Sequence, residues 1–205
     1  MIGRVKRVRL VLVLAVVAIA AIVLYRRLRR EAGIPARGGR ALAARVAGDG
    51  PHYQQRDPRW AGDRLGDTSQ TLGAVGCLVS SLAMGSSALG APVEPAELNR
   101  RLGALHGYTR EAWLIWDTVR PATGGAVDVA VHAQPTHEAM DAALERGELP
   151  VVKFFLPSGA PHWVLVVGKD GEEYLIQDPL VPEPHVIRLG DRATTIVSVR
   201  VLRRA

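Results

Sequence analysis

The sequence predicts an α+β domain, helical in its first half and strand-rich in its second, behind an N-terminal apolar helix. Three observations carry this. Apolar residues recur at helical spacing on either side of the single cysteine, Cys77, and short runs rich in Val, Ile and Leu bounded by turn residues dominate after Val127. A continuous apolar stretch, Leu10 to Tyr25, stands apart from both. Residues 51–205 provide enough chain for one domain with its own core, and no internal repeat is visible.

Residues 1–9 form a basic flank and residues 10–25 a candidate transmembrane signal-anchor helix. Sixteen residues of helix span about 24 Å against a hydrocarbon core of ~30 Å, a shortfall that Arg9, Arg26 and Arg27 offset by extending their guanidinium groups toward the headgroups. A cleavable signal peptide with an Ala18-Ile19-Ala20 processing site is the competing reading. The apolar run continues through Ala21-Ile22-Val23-Leu24, which favours an uncleaved single-pass anchor. Orientation is tied, because Arg4, Lys6, Arg7 and Arg9 before the run are matched by Arg26, Arg27, Arg29 and Arg30 after it. Residues 26–50, rich in Ala, Arg and Gly, read as a tether, with a short helix at most over Ala41 to Ala47.

The formal net charge of +6 belongs to the membrane flanks. Residues 1–30 hold eight of the 26 Lys and Arg and none of the 20 Asp and Glu, so residues 31–205 carry 18 basic against 20 acidic side chains. The basic excess therefore points to anionic lipid headgroups, and nucleic acid is excluded as a partner.

Within the domain, Gly73-Ala74-Val75-Gly76 reads as a loop before a helix starting at Cys77, whose stripe is Leu78, Val79, Leu82, Ala83 and Met84. Further helices are expected over Pro95 to Leu102, Glu111 to Val119 and Thr136 to Arg146, each ended by Gly or Pro. Strands are expected at Val127 to Val131, Pro150 to Phe155, His162 to Val167, Glu173 to Gln177, His185 to Leu189 and Thr194 to Leu202. Lys169-Asp170-Gly171-Glu172 reads as a hairpin turn, which returns Asp178 to the side of His162.

That juxtaposition gives the chain its chemistry. A free thiol has a pKa near ~8.5, and a helix N-terminus with a neighbouring imidazolium lowers it to roughly 3.5–7.5. Cys77 stands at a predicted helix start, His162 can accept its proton, and Asp178 can fix the imidazole. Taken singly, a lone cysteine on an apolar helix is most often core, a strand-start histidine structural and Asp-Pro a turn. Their joint occurrence, in this order, favours catalysis. His132 is expected to face solvent, His137-Glu138 lacks the second histidine of a zinc helix, and His52, His106 and His185 have no partner motif. No metal and no cofactor are expected. Trp60, Trp113, Trp116 and Trp163 read as core or cleft walls, with Trp163 the candidate shield of the Cys–His pair.

Gln55-Arg56-Asp57-Pro58-Arg59-Trp60, Gly76-Cys77 with Ser80 to Met84, His162-Trp163-Val164 and Asp178-Pro179 together resemble the peptidase C39-like group of papain-fold cysteine peptidases, over about Tyr53 to Pro179. The resemblance implies a papain-like fold with Cys77 as nucleophile, His162 as general base and acid, Asp178 as orienter and Gln55 as oxyanion donor. The Gln-x-Asp-x-x-Trp pattern selects Gln55 over Gln54. Trp163 and Gly76, flanking base and nucleophile, are the candidate substrate-binding positions. The expected substrate is a peptide or protein, the protein a monomer at the cell membrane with its catalytic domain extracytoplasmic. The chain has no ATP-binding segment and no multi-span region, and Ala61 to Val75 lengthen the interval between Gln55 and Cys77. Leader-peptide specificity is therefore not carried over. A non-catalytic peptide-binding module and a thiol acyltransferase are the alternatives.

Overall fold

Apolar strands of the second half pair into one antiparallel sheet, the frame of the computed structural model, which describes residues 33–45, 50–183 and 185–205. The sheet contains β2 (Arg37–Arg45), β3 (Val127–Val131), β4 (Leu149–Phe155), β5 (Pro161–Gln177) and β8 (Ser198–Arg204), in the order β2-β5-β4-β8-β3, with β6 (Ile187–Arg188) paired to β5. A separate pair joins β1 (Ile34–Pro35) to β7 (Thr195–Ile196). The architecture is mixed α/β with an antiparallel sheet, and residues 34–205 make one unit.

β5 is a run of extended residues that doubles back. Straight, the sixteen steps from His162 to Asp178 would span roughly 50 Å, yet the two side chains are hydrogen-bonded at 2.7 Å. The reversal falls at Gly171, whose φ of +58° suits glycine, within the turn expected from the sequence.

Among the described residues there are five helices: α1 (Leu72–Val75), α2 (Cys77–Ala88), α3 (Pro95–Ala104), α4 (Val119–Ala122) and α5 (His137–Glu145). Helix α2 packs on one face with Leu82, Ala83 and Met84 against Val151, Leu165, Val167 and Leu202. It can lie close because Gly85 has no Cβ to strike the Leu202 and Leu165 side chains. Helix α5 covers the other face, where Met140, Ala143 and Leu144 meet Val152, Phe154, Val164, Val166 and Tyr174. Its N-cap Thr136 accepts from the Ala139 amide at 3.1 Å.

The structure corrects several expectations. The tether over 26–50 is overturned for residues 34–45, which form β1 and the sheet-edge strand β2. The domain therefore begins well before residue 51, and the helix considered over 41–47 is strand as far as Arg45. Gly38 and Gly39 read as signs of flexibility, but they allow close packing. At Gly39, φ is +75°, and a Cβ would run into Asp141 and the Cβ of His137.

Inside that wall lies a buried ionic cluster. Lys169 Nζ donates to Asp141 Oδ1 at 2.6 Å and to the Gly38 carbonyl at 2.7 Å. Tyr174 donates its hydroxyl to the same Oδ1 at 2.8 Å, and the Arg40 amide donates to Oδ2 at 2.8 Å. Burial opposes ionisation of Asp141, but Lys169 and these donors prevail and hold the carboxyl below its usual range.

Residues 73–75, expected as loop, belong to α1, which Thr71 caps by accepting from the Ala74 amide at 3.3 Å. The helix expected over 111–119 is replaced by a looped segment. The Thr109 amide donates to the Trp113 carbonyl at 2.8 Å, Ala112 has φ +63°, and a 3-10 turn covers Trp116–Thr118. Pro121 lies inside the first turn of α4, where no amide hydrogen is needed. Of the strand expected over 185–189 only Ile187–Arg188 is extended. The strand expected over 194–202 is broken at Val197, whose amide donates to the Lys153 carbonyl at 2.8 Å.

The segment read as a membrane anchor, 10–25, lies outside the described residues. Among the described residues no helix is long and apolar enough to cross a membrane.

Candidate functional site

Cys77 is the first residue of α2, delivered there by the short helix α1 and the turn at Gly76. Gly76 is buried, and its lack of a side chain is explained by the Leu72 carbonyl and side chain, which a Cβ would strike. The first amide groups of a helix have no partner within it, so the start of α2 gives the Cys77 position the positive end of a helix dipole. Cys77 is 6% exposed.

His162 opens the first arm of β5 and is 1% exposed, with the edge of its ring on Phe154 at 5.3 Å between centroids. Its Nε2 meets Asp178 Oδ1 at 2.7 Å, which leaves Nδ1 for the thiol. Burial alone would disfavour the imidazolium. The Asp178 carboxylate and the adjoining Cys77 sulfur outweigh that and hold the His162 pKa up at about 9.

Asp178 is anchored on both oxygens. Oδ1 also accepts from the Leu180 amide at 2.8 Å, and Oδ2 accepts from Arg192 Nε at 2.8 Å. Burial pushes the carboxyl up, but His162, Leu180 and Arg192 together bring it below the ordinary aspartate value. Nothing in the local sequence marks Arg192. It follows a 3-10 turn (Leu189–Asp191) in a segment without a motif, and only the folded chain brings it to the carboxylate.

Gln55 is buried beside this cluster. Its amide hydrogen-bonds to the Pro179 carbonyl at 2.9 Å and its Nε2 donates to the Gly73 carbonyl at 3.0 Å. One Nε2 hydrogen remains. Gln54 holds a different place: its carbonyl accepts from Trp60 Nε1 at 2.8 Å, and Trp60 is a core residue.

Trp163 is half-buried and meets Trp116 edge-on at 5.6 Å between centroids. Its carbonyl accepts from Ser81 Oγ at 3.2 Å, one turn along α2 from Cys77. Trp113 is 72% exposed, so it is not a core residue.

The structure thus pairs buried His162 with Asp178 and places the buried Cys77 next to the imidazole, its thiol also reaching the Val75 carbonyl at 4.0 Å, with Gln55 and Gly76 close by. Such an arrangement can hold a proton between thiol and imidazole and pass it to a leaving group. Among the described residues no group of three or more His, Cys, Asp and Glu is arranged to hold a metal ion. A concavity of about 670 Å³ lies elsewhere, lined by Arg45, Glu145, Arg146, Glu148, Arg203 and Arg204 among others, and contains no nucleophile.

No protein-family model and no curated protein matches the sequence. Among solved structures the chain is similar to a Bacillus anthracis protein described provisionally as a C39-like peptidase, with a TM-score of 0.48 and 13% identity, over 80% of this chain and 98% of that one.

Proposed function

We propose that the chain is a membrane-anchored thiol hydrolase of papain-like architecture that cleaves a peptide or related amide bond through Cys77, His162 and Asp178. The observation that carries this reading is the buried His162–Asp178 pair at 2.7 Å, with the Cys77 sulfur against the same imidazole at the first position of a helix. In the first half-reaction the Cys77 thiolate attacks the carbonyl carbon, and the carbonyl electrons move onto oxygen. The Cys77 amide and the free Nε2 hydrogen of Gln55 receive that oxyanion. Collapse breaks the C–N bond as the His162 imidazolium protonates the leaving amine, which leaves a thioester. In the second half, neutral His162 takes a proton from water, the hydroxide attacks the thioester, and the acid and the thiolate–imidazolium pair are released.

Residues 10–25 are proposed as a single-pass anchor, with the catalytic domain outside the cytoplasm. The apolar run and its flanking arginines support the anchor. The test of the chemistry is iodoacetamide alkylation of Cys77 in the full chain across pH, beside His162→Ala. Alkylation persisting well below pH ~8.5, and lost with the histidine, is the expected result. A slow thiol titrating near its free value and indifferent to His162 would overturn the reading. It would favour instead a non-catalytic peptide-binding module, which the 6% exposure of Cys77 also suits.

A further inference from the structure

Lys153, Trp163 and Ser198 are register partners across β4, β5 and β8, and Arg200 stands two residues beyond Ser198. Residues two apart on a strand share a face, so Lys153, Trp163 and Arg200 rise from the same side of the sheet. It is the side on which α2 packs, since Leu165 and Leu202, the next residues on that face, meet Gly85.

The two cations converge on one aromatic wall. Lys153 Nζ is 5.9 Å and Arg200 Cζ 6.0 Å from the Trp163 ring centroid, and Arg200 lies 5.1 Å from that of Trp116. Phe155, 50% exposed, extends the wall with Lys153 Nζ at 5.9 Å. Arg200 commits one terminal nitrogen to Ser198 Oγ and to the Val199 and His132 carbonyls, while its Nε is buried with no partner. Neither cation has a carboxylate within 4.0 Å among the described residues. Two half-buried like charges facing each other without a counter-ion are unfavourable, and Lys153 is held below its ordinary pKa first by burial and then by Arg200.

We infer that Lys153 and Arg200, against Trp163 and Trp116, form a subsite for a carboxylate of the bound peptide, so that the site selects an acidic residue close to the scissile bond. This rests on the reading of the cleft as a peptide site. The subsite lies on the sheet face against which the nucleophile helix packs, and the Trp163 carbonyl is tied to Ser81, one turn along that helix from Cys77. A carboxylate suits it, since guanidinium and ammonium groups give charge-assisted bonds to both oxygens and the indole rings exclude water from them.

Binding is measured on the full chain in detergent carrying Cys77→Ala, so that nothing is turned over. The probes are two acetylated, amidated peptide mixtures that differ only in a central Glu or Gln. The Glu mixture is expected to bind about tenfold tighter at low salt, the advantage shrinking as salt rises and vanishing in Lys153→Gln and Arg200→Gln. A Gln mixture with a free C-terminal acid binding as tightly as the Glu mixture would support the same subsite through a chain end. Should Arg200→Gln fail to fold, Lys153→Gln carries the test. Equal binding of the Glu and Gln mixtures, a preference surviving Lys153→Gln, or no binding of either would overturn the subsite. Cys77 alkylation is read separately: an unactivated thiol with the Glu preference intact sinks the hydrolase and leaves the subsite, and an activated thiol without the preference does the reverse.

Discussion

Arg192 Nε donates to Asp178 Oδ2 at 2.8 Å, while His162 Nε2 meets Oδ1 of the same carboxylate at 2.7 Å. Arg192 is thus a positioning residue: it fixes the carboxylate plane and keeps it ionised. Arg192→Gln is expected to slow Cys77 alkylation roughly tenfold, the scale of one hydrogen bond to a charged group. Asp178 would then protonate at higher pH, so the acid limb of the pH–rate profile should move upward. Arg192→Lys should restore the limb in part. A profile unmoved by Arg192→Gln would assign the arginine to stability alone.

Stability should itself depend on pH through His162. Its folded pKa of about 9 exceeds the unfolded value of 6.5, so the pair contributes fully below about pH 6.5 and is lost as pH rises through about 9. At about 1.4 kcal/mol per unit the effect is of order 3 kcal/mol. Urea unfolding at pH 6 and pH 9.5 measures it, and Cys77→Ala should narrow the difference, because the sulfur is one source of the raised value.

Losing Asp178 should cost less activity than losing His162, since the aspartate orients the ring and transfers no proton. Asp178→Asn keeps an acceptor for Nε2, and a rate loss smaller than that of His162→Ala is expected. Equal or reversed losses in alkylation rate would exchange the assigned roles.

Lys169→Met should strand Asp141, which shares its buried site, at a cost of about 3–5 kcal/mol by urea unfolding. Lys169→Met with Asp141→Asn should recover part of it. A fragment beginning at residue 50 lacks Gly38 and Arg40, both partners in that cluster, and is expected to be less stable than one beginning at residue 33.

The sequence disclosed the strands best where apolar runs are long and bounded by turns, as in β3, β4 and both arms of β5. It also disclosed that a hairpin would bring His162 to Asp178, because loop length and chain reversal are local properties. It concealed β2. Arg-Gly-Gly-Arg-Ala-Leu-Ala-Ala-Arg has the composition of a tether or a weak helix, and it becomes a strand through pairing with residues 168–173, a tertiary choice that overrides local preference. Arg192, Lys153 and Arg200 were illegible for a related reason: each acquires meaning from residues distant in the chain.

Ser81 Oγ donates to the Trp163 carbonyl one turn from the nucleophile and one residue from the base. The element that carries Cys77 and the strand that carries His162 are therefore riveted together beside the reacting atoms. A hinge between the helical and strand-rich halves would have to break this link before it altered the sulfur–imidazole spacing.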